Sequence, residues 1–197
     1  MEDWVERAMA RMPNVPALFG WLGLNRRGEW LIQGEVIRHR RIVDTIARNY
    51  GVDEHGRWFF QNGPQRGYIT LEYAPLIARV QTDDRLVTHT GQPIDKARAL
   101  YLDEDSNAVL DSDAGAVLIQ GADLAWVLEH LRADGSDAEV EEAALAEAME
   151  AAPGSRTGLE LVFAGERLPV HRCDRADMGE TLGFVAEPAP REGENSN

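Results

Sequence analysis

Between Gly28 and Pro75 the hydrophobic period of the chain changes twice, and this restricts the fold more than any other feature of the sequence. Residues 30–32 and 36–37 are short apolar runs on either side of the turn-prone Gly34, which predicts two short strands. From 40 to 50 the apolar residues Ile42, Val43, Ile46, Ala47 and Tyr50 fall at helical spacing, with Arg40, Arg41, Asp44 and Arg48 opposite them. Gly51 then stands where a left-handed residue commonly ends a helix. Period two follows: 57–60 reads as a strand and 67–73 as an alternating one across Asn62-Gly63-Pro64, the pattern of a hairpin held by aromatic cross-strand pairs. Strand, helix and hairpin in that order predict an α+β fold of mainly antiparallel strands, with a helix inserted before the central hairpin.

The flanks extend this reading. Residues 3–12 place Trp4, Val5, Ala8, Met9 and Met12 on one helical stripe that Pro13 stops, and the apolar segment 17–24 is expected to dock against it. Further strands are expected at 76–81, 86–89, 99–103, 108–110 and 116–119, separated by Asp, Ser, Asn and Gly clusters. Two helices follow the sheet: 122–131, with Leu124, Val127, Leu128 and Leu131 on one stripe, and 137–151, opened by a capping box of Ser136 and Glu139. A last hairpin, 159–163 with 167–170, turns at Ala164-Gly165. The organisation expected is an N-terminal helical segment (1–24), an α+β core (25–133), an acidic helix with a small hairpin (134–186) and a disordered tail (187–197). Within the core, Tyr50-Gly51-Val52-Asp53-Glu54 is echoed by Tyr101-Leu102-Asp103-Glu104, and 31–37 by 87–94, so a two-fold internal repeat is expected.

Charge and cysteine usage exclude several functions. Residues 1–100 carry 14 basic and 12 acidic side chains and residues 101–197 carry six and 22, so the acidity of the chain lies in its second half. Such a surface repels phosphate backbones and anionic lipid. The eight arginines against five acids of residues 26–67 make only a modest basic patch, which disfavours nucleic acid as a partner. No apolar run approaches the length that spans a bilayer, and the start of the chain lacks a signal-peptide pattern, so a cytoplasmic location away from membranes is expected. The single cysteine, Cys173, rules out an internal disulfide and a multi-cysteine metal knuckle.

The chain holds no phosphate-binding glycine loop and no nucleophile elbow. Its five histidines never recur at i, i+4, so neither a metal nor any other cofactor is implied. His171-Arg172-Cys173-Asp174 brings an imidazole, a thiol and a carboxylate together, but i, i+2 spacing on a strand shares a face without making a nucleophile-base contact, and a buried Cys173 is the better expectation. Asp103, Asp105, Asn107 and Asp111 alternate as calcium ligands do, without the glycine and terminal glutamate of an EF-hand loop. The richest polar set belongs to the hairpin: Arg57, Gln61, Asn62, Gln65, Arg66 and Tyr68, with His39 as a candidate neighbour. Guanidinium forks and amides around aromatic rings suit a carboxylate, a phosphate or a peptide edge. The structural alternative makes Trp58 and Phe60 core residues, with Arg57 and Arg66 paired across the sheet to acids such as Glu35 or Glu72.

The run Gly34-x-x-Ile37, the basic residues and helix after it, then GRWFFQNGPQR (56–66) and ITLEYAP (69–75), resemble an uncharacterised proteobacterial domain-of-unknown-function family. More distantly they resemble a second unknown-function family with repeated α+β motifs linked to signalling. The resemblance implies a bacterial origin and supplies no catalytic residue. The function expected is therefore a noncatalytic module in regulation or signalling that binds a small anionic ligand or a protein segment. The alternative is a hydrolase with a carboxylate/His centre assembled from several strands, His39 or His89 beside a desolvated Glu35 or Glu72. Trp4, Met9 and Trp126 are large for a surface, which adds a homodimer as a candidate assembly.

Overall fold

Alternating apolar residues build the first of two sheets in the computed structural model, which describes residues 16–193. The helix expected over 3–12 lies outside the described residues, as does the end of the expected tail. One compact unit takes in the described residues up to Pro75, His89–Gly91 and those from Phe184 on. Its elements are β1 (Ala17–Leu24), β2 (Trp30–Ile32), β3 (Glu35–Val36), α1 (Arg40–Arg48), β4 (Tyr50–Val52), β5 (Trp58–Asn62) and β6 (Gln65–Leu71). They form a six-stranded sheet in the order β3-β2-β1-β6-β5-β4, in which β1 and β6 run parallel and every other pair antiparallel. Leu22, Leu24, Trp30, Ile32, Phe60, Ile69 and Leu71 are buried along it. Tyr50 packs edge-on to Trp30 at 4.8 Å and lies 4.8 Å from Trp58, and its hydroxyl donates to Pro75 O at 3.0 Å. Burial raises the Tyr50 phenol well above its ordinary pKa. Gly67 faces Phe60 across the hairpin, and a Cβ there would come within 2.7 Å of Leu22 Cδ1, so a side chain would require Leu22 to shift where β1 and β6 meet.

The second unit comprises Leu76–Thr88 and Gln92–Gly183. Its strands are β7 (Leu76–Val80), β8 (Leu86–Thr88), β9 (Pro93–Ile94), β10 (Ala97–Leu102), β11 (Ala108–Ser112), β12 (Gly115–Ile119), β13 (Leu131–Ala133), β14 (Arg156–Phe163) and β15 (Glu166–Arg172). They make one sheet in the order β13-β14-β15-β10-β11-β12-β7-β8-β9, with β12/β7 and β10/β15 parallel. The helices are α2 (Leu124–His130), entered through a 3-10 turn, then α3 (Glu142–Glu150) and α4 (Arg175–Leu182). The fold is thus α+β and dominated by strand. The run β9-β8-β7-β12-β11-β10 has the same order and the same single parallel pairing as the whole six-stranded sheet.

One turn recurs at four places: Asn25–Glu29, Asp53–Arg57, Gln81–Arg85 and Asp103–Asn107. In each, the first residue's N–H donates to the fifth residue's carbonyl and the fourth residue's N–H donates to the first carbonyl. The fourth residue is left-handed every time, at φ 78 for Gly28, 75 for Gly56, 66 for Asp84 and 63 for Ser106. In three of the four, the Oδ1 of Asn25, Asp53 or Asp103 accepts the N–H groups of the third and fifth residues. Gln81, one methylene longer, makes no such bond.

Several local expectations give way to tertiary contacts. The segment 17–24 forms a strand inside the first sheet, and the helix it is expected to meet lies outside the described residues. α1 stops at Arg48, where Asn49 Nδ2 caps the Thr45 carbonyl at 2.8 Å, and Gly51 is extended in β4 because Tyr50 pairs with Phe60. The Ser136–Glu139 capping box does not form: Arg167 holds Ser136 O, Arg132 and Glu139 form a β-bridge, and the helix begins at Glu142. α4, with no strong period, was not foreseen. Glu187–Gly193 lie among the described residues, and Ala189 O accepts a bond from Arg57.

Candidate functional site

Hairpin pairing places four of the expected site residues at one end of β5–β6, where Gln61 lies opposite Arg66 and Asn62 opposite Gln65. Gln61 Nε2 donates to Gly63 O at 2.7 Å, and its Oε1 accepts Arg66 Nε at 3.2 Å. The Arg66 guanidinium lies 4.3 Å from the centre of the Phe59 ring. Arg66, Asn62 and the turn are exposed, while Gln61 and Gln65 are half-buried.

Arg57 and Tyr68 stand elsewhere on the same hairpin and face inward. Arg57 is 4% exposed and Tyr68 3%. Arg57 Nε and Nη2 both reach Asp53 Oδ2 at 2.8 Å, Nη1 donates to Ala189 O at 3.1 Å, and Nη2 donates to the Tyr68 hydroxyl at 3.1 Å. Tyr68 stacks on Phe19 with ring centres 4.5 Å apart. Arg57 therefore does not lie on a solvated cross-strand face, and Asp53, the first residue of its own turn, is its close carboxylate partner. Burial pushes the Asp53 carboxyl up, but the Arg57 backbone N–H and guanidinium and the His55 N–H outweigh it and hold the group below the usual carboxylate range. His39 precedes α1, and its Nδ1 is buried without a hydrogen bond to a described residue.

The other candidates resolve as follows. Glu35 and Glu72 are both exposed, and Glu72 Oε2 accepts the Arg26 N–H, so neither carboxylate is desolvated beside a histidine. His89 packs 4.8 Å from Trp30. Cys173 is buried and its Sγ contacts Thr181 Oγ1 and Asp174 O, each at 3.5 Å. His171 stacks on Tyr101, and burial, with Arg156 adding to it, holds the imidazole below its ordinary pKa. Asp103 is fully buried and turns Oδ1 to the Asp105 and Asn107 N–H groups and Oδ2 to Asn107 Nδ2, while Asp111 pairs with Arg98. Among the described residues no group of three or more His, Cys, Asp and Glu is placed to hold a metal ion, and no helix is long and apolar enough to cross a membrane.

One polar cluster escaped the sequence. Asp84, at the left-handed position of its turn, accepts the Trp126 indole N–H and lies 3.2 Å from His130 Nε2; His130 Nδ1 lies 2.8 Å from Trp126 O. Trp126 is consequently 7% exposed rather than part of a surface for self-association. The i, i+4 spacing of Trp126 and His130 was the available signal, but nothing local points to Asp84.

The family model DUF2944, described as "Protein of unknown function (DUF2946)", matches residues 1–189. No curated protein matches the chain. A solved DUF1285 family protein from Silicibacter pomeroyi DSS-3 is 15% identical, with TM-score 0.53 over 85% of this chain and 93% of that one. Another DUF1285 family protein, from Shewanella baltica OS155, is also 15% identical, with TM-score 0.43 over 55% of this chain and 91% of that one. The likeness to the Silicibacter pomeroyi protein is a likeness of fold.

Proposed function

We propose that this chain, which belongs to the DUF2944 family of proteins of unknown function, is a noncatalytic module in regulation or signalling that recognises an anionic group at the tip of the β5–β6 hairpin. The anion is carried by a small ligand or by a partner segment. The observation that carries this reading is Arg66, an exposed guanidinium with its Nε bonded to Gln61, its plane over Phe59 and no ion pair to a described residue. A fork held in one plane loses little freedom on meeting a carboxylate or phosphate, and the amides of Gln61, Asn62 and Gln65 stand beside it. Arg57 and Tyr68 serve as its footing rather than as contacts.

The noncatalytic reading has separate support. General acid work near neutral pH needs a carboxyl pushed upward. Among the described residues, the carboxyls whose acidity departs from the ordinary go down: Asp53 as above, Asp83 through the Arg85 guanidinium, and Glu160, where the Gly135 N–H and Arg167 outweigh burial. Thermal-shift and calorimetric titration with phosphate- and carboxylate-bearing metabolites is the test. Arg66→Ala is expected to weaken any hit at least about tenfold with little change in stability, since a charge-assisted bidentate contact is worth roughly 1.5–3 kcal/mol. Hits that bind Arg66→Ala as well as wild type would remove the site.

The same proposal takes β1–β6 and β7–β12 as two copies of one unit, supported by their common strand order and by the four matching turns. Gln81→Asn restores the side-chain acceptor the other three turns use, and its expected effect is a gain of about 1 kcal/mol in urea unfolding. A loss of stability would count against the equivalence of the turns.

A further inference from the structure

Beneath α3 the second unit holds an apolar cavity of about 250 Å³, lined by Leu102, Ala108, Leu124, Val127, Leu145 and Met149 among others. Ser106 Oγ is the polar side-chain atom at its wall, and it is directed at Met149 Sδ, 3.9 Å away. α3 roofs the cavity loosely. It buries a single residue, Ala148, and has no side-chain N-cap, while Leu145 and Met149, the large apolar residues of its inner face, remain half-buried over open volume. At the mouth Leu128 is 53% exposed, one of two large hydrophobic side chains so exposed among the described residues. A helix that faces its leucine and methionine onto a void forfeits the contacts that would otherwise hold it.

We propose that this cavity is a binding site for the alkyl chain of a small amphiphile whose head group is uncharged or cationic. The volume sets the chain. At roughly 30 Å³ for each water-sized group there is room for about eight methylene-sized units, and a cavity of about 150 Å³ already suffices for benzene. Charge selects the head. Lining residues Ser106, Leu128 and Met149 are each adjacent in sequence to an exposed acid, Asp105, Glu129 and Glu150. The nearby guanidinium groups are engaged: Arg132 donates to Glu129 O and Leu131 O, and Arg172 donates to Met149 O and pairs with Asp174. A carboxylate or phosphate head would meet these acids, while Arg132 and Arg172, among the described residues, are already engaged. The site is independent of the hairpin, and Arg66→Ala leaves it untouched.

Titration calorimetry of the full chain with 1-octanol, octylamine and octanoate tests the proposal. Octanol and octylamine are expected to bind, and octanoate at least about tenfold more weakly. Filling the cavity from its floor with Ala108→Leu, or from its roof with Leu145→Trp, is expected to weaken octanol binding at least tenfold without lowering Tm. Should Ala108→Leu fail to fold, the roof variant carries the test, since Leu145 lies on a half-exposed helix. Unchanged octanol affinity in the folded filling variants, octanoate binding as tight as octylamine, or no binding of octanol and octylamine each overturns it.

Discussion

Arg57→Ala is expected to destabilise the protein by about 3–5 kcal/mol, the largest single-residue effect outside the apolar core. The side chains of Arg57 and Asp53 are 5% and 3% exposed, so the substitution strands a buried carboxylate and removes the donor to the Tyr68 hydroxyl and to Ala189 O. Arg57→Met, which keeps most of the volume, is expected to lose nearly as much, because the cost comes from the unpaired charge rather than from a hole. Asp53→Asn in the Arg57→Met background is expected to recover part of it. Urea unfolding measures all three, and an Arg57→Met variant as stable as wild type would show that the pair contributes nothing.

The same pair sets an acid limb. The folded-state pKa of Asp53 lies below its unfolded value, which is about 3.9. Its contribution is therefore fully present above that value and disappears as pH falls through the folded-state pKa, where both states are protonated. Asp53→Asn is expected to be less stable at neutral pH and to lose less on acidification. Parallel stability curves for the two proteins between about pH 5 and pH 2 would contradict the assignment.

Asp103→Ala is expected to cost about 3 kcal/mol, through a different mechanism. The Asp103 carboxylate accepts from Asp105 N at 2.9 Å, Asn107 N at 2.7 Å and Asn107 Nδ2 at 2.7 Å. Bonds to a charged acceptor are worth roughly 1.5–3 kcal/mol each, and partial hydration of the abandoned N–H groups offsets some of the loss. Asp103→Asn keeps an oxygen at the acceptor position and is expected to recover at least half. Amide exchange at Asp105 and Asn107 should quicken in the alanine variant ahead of the rest of the β10–β11 hairpin; uniform acceleration through the whole sheet would mean that the turn is not the element affected.

Much of the local structure was legible because its causes are local. Asn62-Gly63-Pro64 and Ala164-Gly165 mark tight turns, the stripe of Ile42, Val43 and Ile46 marks α1, and the Asp at the head of residues 53–57 and 103–107 supplies its own acceptor. The candidate site divided along the same line. Gln61 and Arg66 meet because a hairpin register brings them opposite each other, whereas the inward turn of Arg57 depends on Tyr68 and on Ala189, 132 residues away.

Amino-acid order alone determined the α1 stripe, the hairpin turns, the acidic second half and the family to which the chain belongs. Tertiary structure decided that 17–24 pairs in parallel with β6, that Ser136 serves Arg167 instead of a helix, and that Trp126 is buried against Asp84. Turn geometry is fixed by atoms a few bonds apart, so residue type suffices to choose it. Strand partners and burial are chosen among distant segments by the total area removed from water, a quantity no short stretch of sequence contains.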